Sequence, residues 1–361
     1  MSSLYIHIPF CDHICSYCDF CKVFYREDWA DNYLDALAYE IKEKNVDEQF
    51  DTIYIGGGTP SSLNEKQLEY LFTLIQPFSS CVKEYSIEVN PESMNENKMK
   101  LFSKYGITRL SIGSQSFNDD ILKNIDRCHK ADDVYKLVDM ARQYNITDIN
   151  VDLMYGLPHQ TLDDILNDIH KITDMNVGHV SVYSLILEDH TKLNNMKYEP
   201  LDDEQDALWY DAIIHALENN GYKHYEISNF YKDKPSLHNL VYWHYEDYYG
   251  LGVSAHSLVG NHRLENTRSL KRYINHQYLD DDIELSKQDQ LFETIMMGLR
   301  LKEGLDINKL NKKFNINFKE KYKDVIEKYL NLECVEIDEN FFKPTQKGFK
   351  YLNNLLVDFF D

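Results

Sequence analysis

The chain has 361 residues, of which 43% are hydrophobic and 27% charged, as in a globular protein with one large core and an appendage, or with two to three domains. Its net charge of -22 repels phosphate backbones, and no basic patch interrupts it, so we expect no nucleic-acid partner. No apolar stretch reaches the roughly 18 residues of a membrane span, and no signal-peptide pattern precedes the first strand, so we expect a cytoplasmic protein without a transmembrane segment.

The first predicted element is a strand at residues 4–8, and a run of cysteines follows it directly. Four of the seven cysteines lie in this run, at positions 11, 15, 18 and 21. Thiolates at these spacings on a short loop can reach one metal centre. The centre is either a zinc ion held by all four, including Cys21, or an iron-sulfur cluster held by three, which leaves one iron open to a ligand. Cys81, Cys128 and Cys334 stand alone and are predicted to be buried or incidental thiols.

Five further apolar, β-rich segments follow in the first half of the chain, separated by amphipathic helical patterns. The predicted strands lie at residues 52–55, 85–89, 107–112, 148–153 and 179–187. Asn64 and Thr161 are predicted to cap two of the intervening helices. This alternation predicts a parallel sheet, either an open doubly wound sheet or a barrel, complete or partial. In both folds, ligands bind at the carboxyl ends of the strands.

Glycine and polar residues follow the predicted strands, where such a site would lie. These stretches are Gly56-Gly57-Gly58-Thr59-Pro60, Glu88-Val89-Asn90-Pro91, Gly113-Ser114-Gln115-Ser116, and Tyr155-Gly156-Leu157-Pro158 after the strand that carries Asp152. The triple glycine is either a tight turn or a place where a small charged ligand approaches the backbone, and its spacing disfavours a Rossmann dinucleotide site. Glu88 and Asp152 either form structural salt bridges, with Arg109 or Arg127 as partner, or bind the ligand of this rim.

Residues 191–285 are predicted to form an additional α+β region. A helix is expected at residues 202–220, before an aromatic and histidine-rich tract at residues 222–256 that contains His238-Asn239-Leu240-Val241-Tyr242-Trp243. A histidine in such a tract is either an ordinary hydrogen-bonded residue or, within an aromatic wall, the axial ligand of a flat macrocycle. We select His238 as the candidate ligand.

Residues 286–361 are predicted to form a winged-helix-like domain. Helices are expected at residues 287–302, 306–314 and 318–330, followed by two short strands and a last helix at residues 345–359. This segment contains 13 Lys and Arg residues and 13 Asp and Glu residues. Because it is neutral, we expect a packing or partner-binding domain and not a DNA-binding one.

Several motifs together resemble a known family. C-x3-C-x2-C directly after a first strand resembles the radical S-adenosylmethionine (SAM) superfamily, whose 4Fe-4S cluster takes three cysteines and whose open iron binds SAM. Within it, the chain resembles the oxygen-independent coproporphyrinogen III oxidase family over nearly its whole length. The motifs that carry this resemblance are Tyr5 to Cys11, Gly56 to Pro60, Glu88 to Pro91, Ser111 to Phe117, Asp152 to Pro158, His238 to Trp243, and Gly298 to Leu301 with Gly304.

The resemblance implies a fold and a set of ligands. The fold is α/β, with a partial (β/α)6 TIM-type radical SAM barrel at residues 1–190 ahead of the α+β region and the winged-helix-like domain. The implied cluster ligands are Cys11, Cys15 and Cys18. The residues implied to bind SAM are Tyr5, Gly56, Gly57, Thr59 and Glu88, with Gln115, Arg127 and Asp152 at the positions of a second SAM in the oxidase, and Tyr17 and Phe20 beside the cluster.

The resemblance also implies a function connected with heme. The oxidase has a fourth cysteine two residues after the third, where this chain has Phe20, and an extension before its first strand, so the chain resembles the heme-chaperone branch of the family. Such a protein binds heme, a 4Fe-4S cluster and SAM, and delivers heme to respiratory hemoproteins; we expect it to form a homodimer and to reach the membrane surface through its partners. The alternatives are a coproporphyrinogen III oxidase of porphyrin biosynthesis and a zinc-bound, non-catalytic barrel protein.

Overall fold

The structure of the protein is a computed structural model that describes residues 2–44, 46 and 49–360. Its strands are β1 (Ser3–Ile8), β2 (Phe10–Cys11), β3 (Val23–Phe24), β4 (Thr52–Gly57), β5 (Glu84–Val89), β6 (Arg109–Gln115), β7 (Asp148–Tyr155), β8 (His179–Ser184), β9 (Lys223–Glu226), β10 (Asn229–Tyr231), β11 (Tyr248–Leu251), β12 (His256–Val259), β13 (His262–Asn266), β14 (Leu279–Glu284), β15 (Leu305–Asp306), β16 (Val335–Ile337) and β17 (Phe341–Pro344).

The six strands predicted for the first half are confirmed and form the parallel centre of one large sheet. Their order is β1-β4-β5-β6-β7-β8. Beyond β1, β11 adds a further parallel strand, and β12, β13 and β14 continue the sheet in antiparallel fashion. Beyond β8, β10 and β9 extend the opposite edge, also antiparallel. Residues 191–285 therefore contribute strands to both edges of the predicted barrel sheet, and among the described residues no pairing joins β14 to β9.

Helices cover this sheet and continue into the C-terminal part. They are α1 (Glu27–Glu43), α2 (Glu65–Ile75), α3 (Glu96–Lys104), α4 (Asp119–Asn124), α5 (Ala131–Gln143), α6 (Leu162–Met175), α7 (Lys192–Asn195), α8 (Asp203–Asn219), α9 (Leu237–Trp243), α10 (Leu270–Ile274), α11 (Lys287–Gly298), α12 (Ile307–Phe314), α13 (Phe318–Lys321), α14 (Lys323–Asn331), α15 (Gln346–Lys350) and α16 (Leu352–Val357). The predicted caps Asn64 and Thr161 both form capping boxes, with Gln67 and Asp164 as their partners. No helix in the described part of the chain is both long and apolar enough to cross a membrane.

The C-terminal segment has its own hydrophobic core, built mainly from residues 291–359 around Phe318 and Phe342. It has the predicted helices and the β16–β17 hairpin, and β15 adds a third strand next to β17. The helices predicted at 318–330 and 345–359 are present, and each is interrupted at one tyrosine. Tyr322 and Tyr351 both have φ -110°, outside the helical range, so each helix divides into two short ones.

Candidate functional site

A cavity of about 460 Å³ lies where the carboxyl ends of the parallel strands meet the cysteine loop. This is the edge at which parallel α/β sheets bind their ligands. It brings together eleven of the residues that the family resemblance selects. They are Cys11, Cys15, Tyr17, Cys18, Phe20, Gly57, Thr59, Glu88, Gln115, Arg127 and Asp152.

The cysteine loop is closed at its base by a small parallel pair of strands, β2 and β3. Phe10 pairs with Val23 and Cys11 with Phe24, so the ends of the loop lie side by side. Within the loop, the N–H of Cys18 donates to the carbonyl oxygen of Cys15 at 3.3 Å. This turn directs three cysteines at spacings of four and three into the cavity.

A chain of hydrogen bonds connects two of these cysteines. Thr59 Oγ1 donates to Cys11 Sγ at 3.4 Å, and Asn90 Nδ2 donates to Thr59 Oγ1 at 3.1 Å. Arg127 joins the same chain, with Nη2 at 3.0 Å from Asn90 Oδ1 and Nη1 at 3.5 Å from Cys15 Sγ. Hydrogen bonds to sulfur favour the thiolate, which is the form that binds a metal.

The surroundings of Cys21 differ from those of the other three cysteines of the loop. Burial raises the pKa of Cys11 to about 12, so its thiolate needs a nearby positive charge such as bound iron. Within the described ranges, no three His, Cys, Asp or Glu side chains lie close enough together to hold one metal ion, as zinc requires. The cysteines of a cluster bind separate iron atoms, so their sulfurs lie farther apart than those around a single zinc ion. Cys21, the fourth ligand of the zinc alternative, donates its S–H to the carbonyl oxygen of Arg268 at 3.6 Å and does not line the cavity.

The triple glycine allows the chain to pass closely behind the cavity. A Cβ atom at Gly58 would lie 2.9 Å from the carbonyl carbon of Pro9 and 3.0 Å from Cys11 Sγ. A Cβ atom at Gly56 would lie 2.8 Å from Glu88 Oε1. Gly57 has φ +119°, a conformation that favours glycine. The motif therefore packs closely against Glu88, Pro9 and Cys11, and the approach of a small charged ligand to this backbone stays a prediction.

Glu88 and Asp152 both face the cavity, and neither forms an ion pair with any described residue. Glu88 accepts hydrogen bonds from Tyr54 OH at 2.8 Å and from the N–H of Gly57 at 3.0 Å. Asp152 accepts from Asn150 Nδ2 at 2.7 Å. Burial raises the pKa of both carboxyl groups, that of Glu88 to about 7.

The salt-bridge alternative for these two carboxylates is therefore wrong. Arg109 pairs with Asp148 at 2.6 Å, at the opposite, amino-terminal end of the sheet. Arg127 binds Asn90 and Cys15, as described above, and also the carbonyl oxygen of Gly113. Its Nε is buried without a hydrogen-bond partner in the described structure, so one donor of this guanidinium is unused.

Gln115 lies at the end of β6 in a strained conformation. Its φ of +68° is in the left-handed region, which residues other than glycine seldom adopt. The register between β6 and β7 shifts at this point. Non-glycine residues with such dihedral angles concentrate at binding sites, where the surrounding structure holds them in place.

Three of the selected residues do not line this cavity. Gly56 lies behind Glu88, whereas Tyr5 and His238 line a second, smaller cavity of about 200 Å³ inside the barrel. His238 is 1% exposed, and both of its ring nitrogens are within hydrogen-bond distance of protein hydroxyls: Nδ1 of Thr52 Oγ1 and Nε2 of Tyr242 OH, each at 2.9 Å. These surroundings give no support to His238 as the axial ligand of heme.

Sequence reasoning missed several residues of the larger cavity. They are Tyr54, Asn90, Ser111, Met154, Tyr183, Ile186 and Glu188. Asn90, Ser111 and Met154 stand within motifs that were selected for other residues, so position in the motif was an available signal. Tyr54 and Tyr183 have no local signal, because an inward-facing strand tyrosine is equally common in a core.

Together, the parallel centre of the sheet, the cysteine loop closed by β2 and β3, and the glycine-lined cavity are the features of a radical SAM protein. The Radical SAM superfamily model matches residues 5–172, and the HemN C-terminal domain model matches residues 285–350. The chain is similar over 99% of its length to coproporphyrinogen III oxidase (HemN) from Escherichia coli, of which it covers 90%, with a TM-score of 0.87 and 25% identity.

Two curated relatives place the chain more closely. It is 36% identical to heme chaperone HemW of Lactococcus lactis, over 99% of this chain and 97% of the relative. It is 38% identical to heme chaperone HemW of Bacillus subtilis, over 98% of this chain and 97% of the relative. The chain therefore belongs to the heme chaperone HemW family.

Proposed function

We propose that this protein is a heme chaperone: it binds heme, holds a 4Fe-4S cluster and SAM in the cavity, and delivers heme to respiratory hemoproteins. The observation that carries the proposal is its similarity, over nearly the full length of both chains, to relatives named heme chaperone HemW. The cavity supports it, because eleven of the residues expected to hold the cluster and SAM surround one space.

Cys11, Cys15 and Cys18 would hold the cluster. When bound, a 4Fe-4S cluster can supply one electron to SAM and so start radical chemistry. Arg127 and Thr59 would assist by donating hydrogen bonds to cysteine sulfurs, which stabilise the thiolates. The closed base of the loop would keep the three side chains in place and limit access of water.

The polar groups opposite the loop would hold SAM, which carries an ammonium, a carboxylate and ribose hydroxyls. Glu88 and Asp152 offer carboxylate oxygens to the ammonium and hydroxyl groups, and Arg127 offers a donor to the carboxylate. Gly57 and Gly58 allow close contact with the backbone, and Gln115 is held at the same wall. We take Tyr5 and Gly56 to act from behind this wall, because they do not line the cavity.

Heme is a flat, largely apolar molecule, and the mouth of the cavity offers a surface suited to it. Phe20 and Ile186, both lining the cavity, are 69% exposed, and Tyr183 is 41% exposed. Exposed apolar side chains grouped at a cavity mouth mark binding surfaces. We therefore place heme at this mouth, next to the cluster loop. The proposal also includes that the protein is cytoplasmic, that it forms a homodimer, and that it meets its recipient proteins at the membrane surface.

The second candidate function is that of a coproporphyrinogen III oxidase. It is favoured by the TM-score of 0.87 to the Escherichia coli oxidase and by 27% identity to the Salmonella typhimurium oxidase over 99% of this chain. Against it stands Phe20, which occupies the position of the fourth cysteine that the family resemblance assigns to the oxidase.

One sample can separate the two functions. Protein reconstituted anaerobically with iron and sulfide is first titrated with heme and then incubated with SAM, a reductant and coproporphyrinogen III. The chaperone proposal expects saturable binding of one heme per chain and no turnover. Repeated turnover to protoporphyrinogen without heme binding would establish the oxidase instead. Phe20→Ala and Ile186→Ala, compared with the equally exposed Val357→Ala, test whether heme binds at the cavity mouth.

A further inference from the structure

The carboxylate of Glu88 is held by one backbone group and one side chain. The N–H of Gly57 donates to Oε2 at 3.0 Å, and Tyr54 OH donates to Oε1 at 2.8 Å. Gly57 is fixed by the pairing of β4 with β1. The ring of Tyr54 can rotate, so its position depends on the side chains that pack against it.

His238 packs directly against that ring. The two ring centroids are 5.1 Å apart with an angle of 27° between the planes, which is a stacked arrangement. His238 itself is immobilised, because its ring nitrogens lie 2.9 Å from Thr52 Oγ1 and 2.9 Å from Tyr242 OH. Burial lowers the pKa of His238 to about 3, so the ring is neutral and can donate to one hydroxyl while it accepts from the other.

The helix that carries His238 is attached to the two strands that carry Tyr54 and Glu88. Glu84, the first residue of β5, accepts hydrogen bonds from Ser236 Oγ at 2.9 Å and from the N–H groups of Leu237 and His238 at 2.9 and 3.1 Å. Thr52, the hydrogen-bond partner of His238, is the first residue of β4. Helix α9 therefore closes the amino-terminal end of β4 and β5, while Glu88 lies toward their carboxyl ends.

We propose that His238 is a positioning residue that orients the Glu88 carboxylate through the ring of Tyr54, and that it is not a ligand of heme. The consequence for binding rests on the proposed role of Glu88 in the SAM site. The aromatic and histidine residues of α9 then hold the SAM pocket in shape from the amino-terminal end of β4 and β5. Removing His238 lets the Tyr54 ring move, and Glu88 loses a hydrogen bond that favours its charged, binding form.

A double-mutant cycle tests this route. His238→Ala, Tyr54→Phe and the double variant are reconstituted, and SAM binding is measured by calorimetry and by the change that SAM causes in the electron paramagnetic resonance spectrum of the reduced cluster. Loss of one hydrogen bond to a charged group should weaken SAM binding roughly tenfold in either single variant. Because both substitutions remove the same interaction, the double variant should bind no more weakly than Tyr54→Phe alone.

Heme titration and two further variants complete the test. His244→Ala, at the partly buried C-terminal cap of the same helix, is the matched control and should bind SAM as the wild type does. Heme affinity should be unchanged in His238→Ala, and His238→Gln, which keeps hydrogen-bonding groups, should recover part of the SAM affinity and serves if the alanine variant does not fold. Additive effects in the cycle, or a loss of heme binding with SAM binding intact, would overturn the inference.

A measurement without SAM separates this inference from the proposed function. The pKa of Glu88 can be followed by carbon NMR of labelled glutamate in the protein without cluster. Tyr54→Phe and His238→Ala should both raise it, because the hydrogen bond from Tyr54 lowers that pKa. If the wild type fails to bind SAM but these shifts appear, the proposed function fails and the positioning role stands. An unchanged pKa in His238→Ala refutes the positioning role.

Discussion

Gly58→Ala tests whether the close approach of the segment after β4 to the cysteine loop is needed for cluster assembly. The new Cβ atom would lie 2.9 Å from the carbonyl carbon of Pro9 and 3.0 Å from both Phe10 O and Cys11 Sγ. Carbon atoms in favourable contact are roughly 3.5–4.0 Å apart, so the backbone at Pro9 and Phe10 must move. That backbone is held in place, because the N–H of Gly58 donates to Ile8 O and that of Thr59 to Phe10 O, each at 2.8 Å.

The expected cost is about 1–3 kcal/mol of unfolding free energy, the usual range for overpacking. Displacement of Cys11 should also lower the iron and sulfide content after anaerobic reconstitution to well below that of the wild type. Urea unfolding of the protein without cluster and chemical analysis of iron and sulfide measure the two effects. Gly178→Ala is the matched control, since its Cβ atom would meet only the flexible end of Asp233, at 3.1 Å. Wild-type stability and iron content in Gly58→Ala would refute the steric argument.

Three further predictions follow from individual side chains. Cys21→Ser should keep the iron content of the wild type, whereas serine at any one of the three cluster positions should lower the iron content sharply. An equal loss of iron in all four variants would instead indicate a centre bound by four cysteines. Glu40→Ala should lower the free energy of unfolding, measured in urea, by about 3 kcal/mol. The reason is that this fully buried carboxylate accepts hydrogen bonds from Tyr273, Asn266 and the N–H of Gly252. A loss below about 1 kcal/mol would contradict this prediction. Burial raises the pKa of Glu88 from 4.5 to about 7, so Glu88 binds a proton as the pH falls through 7. SAM affinity, measured by calorimetry, should therefore weaken as the pH falls through this range. Glu88→Gln should bind SAM weakly and with little pH dependence, and a steep pH dependence in that variant would assign the titration to another group.

The parallel core and the cysteine loop were accessible from the sequence because both depend on neighbours along the chain. Six apolar segments separated by amphipathic helices specify a parallel sheet almost regardless of the rest, and the structure has these strands within a few residues of the predicted positions. The capping boxes at Asn64 and Thr161 are likewise local. The strand-end rule then located Glu88, Gln115 and Asp152 at the cavity.

The sequence did not show which residues the buried charged side chains contact. Arg109 and Glu88 are both strand residues, and sequence reasoning allowed them to pair. They lie at opposite ends of neighbouring strands, where Arg109 meets Asp148 and Glu88 meets Tyr54. The alternation of a strand gives the side of the sheet that a residue faces, but the register between strands decides which charges meet.

The spacing of Cys11, Cys15 and Cys18 after the first strand already indicated a metal-binding loop, because three cysteines on one short segment can line one site without help from distant parts of the chain. Tertiary structure alone decided that Cys21 faces Arg268, that β11 joins β1, and that α9 closes the base of the barrel. Tertiary structure also brings the buried ring of His238 against that of Tyr54, which is far away in the sequence. Contacts over such distances depend on how completed elements pack together, and no local pattern of residues records that packing.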